Sequence, residues 1–130
     1  MRAVLLAAIV SSVIHYTDNY VNLEDYPQPH WINHAVIPSA WALFTAFGIA
    51  GYLLYRRGRL VPAGLCLLVY SYTGLSSLGH YRFGPLSDFT PKMHIGILLD
   101  GVTGAAVFIV GVLLIVSRMR RSEPDLGMRR

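Results

Sequence analysis

Apolar residues in this chain gather into long runs instead of alternating with polar ones. A helix of about 20 apolar residues crosses roughly 30 Å of hydrocarbon. Three runs reach that length: 36–55 (VIPSAWALFTAFGIAGYLLY), 60–79 (LVPAGLCLLVYSYTGLSSLG) and 94–117, which contains ILLDGVTGAAVFIVGVLLIVS. A fourth, 3–18, is shorter and reaches full length only with His15, Thr17 and Asp18 at the membrane boundary. Pro38, Pro62 and Pro91 fall near the first turn of a run, where a missing N–H costs least, and Thr90 is placed to cap the last helix. The RRGR link, Arg56–Arg59, is short enough to force its two helices antiparallel, whereas the connections at 17–35 and 80–93 are longer. The pattern therefore predicts an all-α, integral-membrane four-helix bundle of up-down-up-down order, a single domain over 1–130 with a basic tail from 118.

The first run has the length and the basic start (Arg2) of a signal peptide. No small-x-small site separates Ser12 from the polar HYTDN segment, so it is expected to be retained as a span.

Composition supports the membrane reading. The chain is 54% hydrophobic and 14% charged, with mean hydropathy +0.47, too apolar for a soluble or a disordered chain. One cysteine, Cys66, excludes a disulfide framework. The net charge of +4 does not point to nucleic acid, because the arginines flank apolar runs instead of gathering on one face of a soluble core. They do set an orientation, since basic residues beside spans stay on the cytoplasmic side. Arg2, Arg56, Arg57, Arg59, Arg118, Arg120, Arg121, Arg129 and Arg130 fall on one side, against Arg82 and Lys92 on the other. Both termini are expected in the cytoplasm of a bacterial inner-membrane protein, with Tyr16, Tyr20, Trp31, Trp41, Tyr52, Tyr55 and Tyr81 as interfacial aromatics. The tail either lies against anionic headgroups or serves simply as a retention signal.

That orientation puts all five histidines on the outer half: His15, His80 and His94 at helix ends, His30 and His34 in the first long loop. Asp100 lies about 9 Å into the last helix, where a carboxylate is costly and needs a partner. Gly96, Asp100 and Gly104 share a helix face, and Tyr70, Thr73, Ser77 and His80 form a polar stripe on the third helix. Ser11, His15 and Asp18 or Asn19 form another on the first. Stripes facing lipid would be left unmatched, so they are expected to converge.

Imidazole and carboxylate suit zinc or copper, and the expected metal ligands are His15, Asp18, His80, His94 and Asp100, with His30 and His34 as further loop ligands through their x3 spacing. Such a site could activate water for hydrolysis at the headgroup plane. In residue types alone, His, Asp and Ser at helix ends resemble membrane hydrolases of the ceramidase and adiponectin-receptor type, which have seven spans. Ser77 would act as nucleophile only with a histidine base in reach; back-bonding within its helix is the ordinary role of such a serine. Rival expectations are an accessory subunit or homo-oligomer docking through Gly96/Gly104 and Gly48/Gly51, a b-haem carrier, and a small transporter.

Overall fold

A computed structural model describes residues 1–122, with side chains given to residue 120. The basic tail beyond residue 122 lies outside the described residues. The architecture is all-α: α1 (Arg2–Val21), α2 (Val36–Arg56), α3 (Leu60–Leu75) and α4 (Pro91–Ser122), with no strand among the described residues. A 3-10 stretch, Ser76–Arg82, prolongs α3, and a 3-10 turn, Leu86–Asp88, precedes α4. Four segments are long and apolar enough to cross a membrane: Arg2–Val21, Val36–Arg56, Leu60–Arg82 and Pro91–Arg120.

Local chemistry explains the boundaries. Pro38 and Pro62 sit in the first turns of α2 and α3, and α4 opens on Pro91. The Thr90 hydroxyl oxygen accepts the Met93 N–H at 3.3 Å, the cap that the sequence predicts. Gly58, at φ 72°, takes the left-handed conformation that closes the RRGR turn.

Two elements depart from the expected limits. The first helix continues to Val21, which brings Asp18 and Asn19 inside it. The third tightens at Ser76 because hydroxyls compete with the backbone for its carbonyls. Ser76 Oγ donates to Thr73 O at 3.2 Å, and Ser77 Oγ donates to Gly74 O at 2.6 Å.

Glycines bring α3 against its neighbours. Gly74 stands opposite Gly104, and Gly64 opposite Gly111; a Cβ on Gly104 would lie 2.9 Å from the Gly74 Cα, and one on Gly74 would strike the Asp100 carbonyl oxygen. Gly48 of α2 lies under the Tyr70 ring, and Gly51 lies against Leu67. Leu5 and Ala8 of α1 complete a core with Leu67, Tyr70 and Val107. A second apolar cluster of Tyr26, Phe89, Met93 and Ile97 covers the end that carries the two long loops. The chief polar link between α1 and α2 is different in kind: Trp41 Nε1–H donates to Ser12 Oγ at 3.1 Å, and elsewhere between the two helices a cavity opens around His15, Ile37 and Phe44.

Candidate functional site

The buried side of α1 carries Ser11, Ser12, His15, Asp18 and Asn19, so the polar stripe expected there faces inward. Tyr26 folds back from the loop onto this stripe. Its hydroxyl donates to Asp18 Oδ2 at 2.7 Å, while Asn22 Nδ2 donates to Oδ1 at 2.9 Å. Lys92, from the start of α4, forms an ion pair with the same carboxylate. Burial, with the Asp18 carboxylate beside it, pushes the Tyr26 hydroxyl well above the usual phenol range, so it remains a donor.

The Tyr26 ring in turn fixes two imidazoles. Its centroid is 6.0 Å from that of His15 and 5.2 Å from that of His80, and the two imidazole centroids are 5.5 Å apart at an interplanar angle of 75°. The Pro27 carbonyl oxygen, which can only accept, lies 3.0 Å from His80 Nδ1, so that nitrogen carries the proton. His80 Nε2 then faces Asn19 Nδ2 at 3.4 Å. His15 Nδ1 is buried with no partner, and space for the ring comes from Gly96, where a Cβ would stand 3.5 Å from that atom.

Both imidazoles line a cavity of about 790 Å³ between α1, α2 and the end of α3. Asn19 and Arg82 add polar groups, while Trp31, Ile37 and Phe44 are among its apolar wall. The volume falls within the roughly 300–1,000 Å³ typical of small-molecule sites. Tyr72, 59% exposed, also lines it, so the opening reaches the flank of the helices as well as the loops.

The residues expected to share a metal are distributed over several places. His15 and His80 come together. Asp18 is one layer above them, its oxygens already engaged by Tyr26, Asn22 and Lys92. His94 is drawn to the Tyr81 hydroxyl at 2.9 Å and stacks on that ring. Asp100 lies deeper, among hydroxyls. His34 packs on Tyr20 with centroids 4.7 Å apart, and His30 is exposed in the loop. Among the described residues, no group of three or more His, Cys, Asp or Glu stands ready to hold a metal ion. Ser77 gives its proton to main-chain carbonyls, Gly74 O at 2.6 Å and Ile97 O at 3.0 Å.

Tyr26 and Pro27 are contributors that sequence reasoning missed. Their one signal is a tyrosine before proline in a polar loop, which no helical period or span boundary singles out. No family model, curated protein or solved structure matches the chain.

Proposed function

We propose that this chain is an up-down-up-down membrane protein, its termini in the cytoplasm of a bacterium, that takes an anionic amphiphile from the outer leaflet into the cavity walled by His15 and His80. The observation that carries the reading is that cavity: two adjacent imidazoles and the amides of Asn19 and Gln28 on an otherwise largely apolar wall, with exposed Arg82 among its lining. Apolar walls suit an acyl or prenyl chain, and the Arg82 guanidinium suits a carboxylate or phosphate head. The helix order is supported by contacts that rise along one helix and fall along the next, Gly48 with Tyr70 and Gly51 with Leu67. The orientation is supported by the arginines flanking the RRGR end.

A second reading rests on Asn19, whose Oδ1 is buried without a partner. With His15 and His80 it would offer two nitrogens and one oxygen to zinc or copper. A haem between the same imidazoles is disfavoured, since edge-to-face rings 5.5 Å apart leave no room for a macrocycle.

The test is binding of a fluorescent fatty acid to detergent-purified protein, with metal analysis of the same sample. The ligand reading expects saturable binding that weakens roughly tenfold in Arg82→Ala, the loss of one charge-assisted contact. Absence of saturable binding, together with stoichiometric zinc or copper that disappears in His80→Ala, would replace it with the metal reading.

A further inference from the structure

Below the imidazoles, at mid-depth between α1, α3 and α4, lies a second, narrower crevice with no room for a water molecule. Asp100, Tyr70, Thr73 and Ser12 line it. Several hydroxyls around it are committed elsewhere: Ser12 Oγ donates to Ile9 O, Ser71 Oγ to Leu68 O, and Thr103 Oγ1 to Leu99 O. Others are not. Asp100 Oδ2, Thr73 Oγ1 and Tyr70 OH are buried without a close hydrogen-bond partner, as is Ser11 Oγ on the neighbouring turn of α1; the nearest hydroxyls that face Asp100 and Tyr70 are those of Ser11 and Ser12. Asp100 is 1% exposed, and Lys92 pairs with Asp18 instead of with it. Several oxygens around one carboxylate thus lack close partners in a space closed to water, a demand that a bound group would meet.

We propose that Asp100, Thr73 and Tyr70 form a binding site for a dehydrated monovalent cation, sodium. All the free donor atoms are oxygens, which favours a hard cation over zinc or copper. One carboxylate balances a single positive charge, whereas a divalent ion would leave a buried charge uncompensated. Sodium is smaller than a water molecule and potassium is about as large as one, so a space closed to water discriminates between them. Thr73 lines both this space and the larger cavity.

The test is thermal unfolding of the full chain in detergent, titrated with sodium, potassium or choline chloride at constant ionic strength. A cation bound only by the folded protein raises the midpoint in proportion to RT ln(1 + [L]/Kd). Sodium is expected to raise it, with potassium matching choline. Asp100→Asn removes the sodium response, and Thr73→Val or Tyr70→Phe raises the half-maximal sodium concentration roughly tenfold. Equal midpoints in sodium and potassium for the unaltered protein overturn the proposal, as does a sodium response retained in Asp100→Asn. Should that variant fail to fold, Thr73→Val decides: an unchanged half-maximal concentration overturns the assignment.

Discussion

The α3–α4 seam and the α1–α2 seam use opposite means to join helices. Along the first, Gly64 and Gly74 meet Gly111 and Gly104, so that main chain lies on main chain. Along the second, Trp41 reaches Ser12 with one hydrogen bond, and the helices part around His15, Ile37 and Phe44. Without a hydrophobic drive between helices in lipid, close van der Waals approach between small residues supplies the cohesion. One seam therefore acts as the frame, and the other is free to leave a cavity. The contrast also separates roles: the four glycines named as docking faces in the sequence are filled from within the chain, Gly48 by Tyr70, Gly51 by Leu67, Gly96 by His15 and Gly104 by Gly74.

Gly74→Val strikes the frame hardest. The new Cβ meets the Asp100 carbonyl oxygen and, at 2.9 Å, the Gly104 Cα, so relief requires backbone movement. The expected loss is about 3 kcal/mol, at the upper end of overpacking costs. Gly79, further along the same polypeptide, has open space where its Cβ would stand, and Gly79→Ala is expected to cost less than about 0.5 kcal/mol. Reversible unfolding in mixed detergent micelles measures both. Similar stabilities for the two variants would break the comparison, because the seam would then have slack.

Asp18→Ala acts on the layer that roofs the open seam. It strands the Tyr26 hydroxyl, which is buried, and releases Asn22 and Lys92. The cost should be about 1–3 kcal/mol, mostly from Tyr26, since the exposed Lys92 contributes at most about 1 kcal/mol. Tyr26→Phe removes the hydroxyl and keeps the ring; a much smaller loss is expected there, and the same unfolding assay reads the difference.

Much of this frame was legible from residue order. Runs of apolar residues, prolines at first turns and Thr90 as a cap located the four long apolar helices, because each reports a local backbone or solvation demand. The inward turn of Ser11, His15, Asp18, Thr73, Ser77 and Asp100 was legible as well, since lipid rejects such groups. How these groups sort among themselves was not. Spacing sets helix face and depth, but His94 goes to Tyr81 and Asp18 to Tyr26 through loop geometry that carries no periodic signal. The tightening at Ser76 likewise depends on which carbonyl each hydroxyl takes.

The finest probe of the contrast is Ala40→Leu, on the α2 wall of the cavity. In the closed seam the added isopropyl group would have to displace backbone, as at Gly74. At Ala40 it extends into a space of about 790 Å³, so stability should change by less than about 0.5 kcal/mol while ligand uptake falls. Unfolding midpoints and fluorescent fatty-acid binding, measured on the same preparation, separate the two effects. A destabilisation like that of Gly74→Val would mean that the α1–α2 seam closes as tightly as its counterpart. Unchanged stability with unchanged binding would move the ligand away from this wall, leaving the imidazole pair as a packing element held by Tyr26 and Pro27.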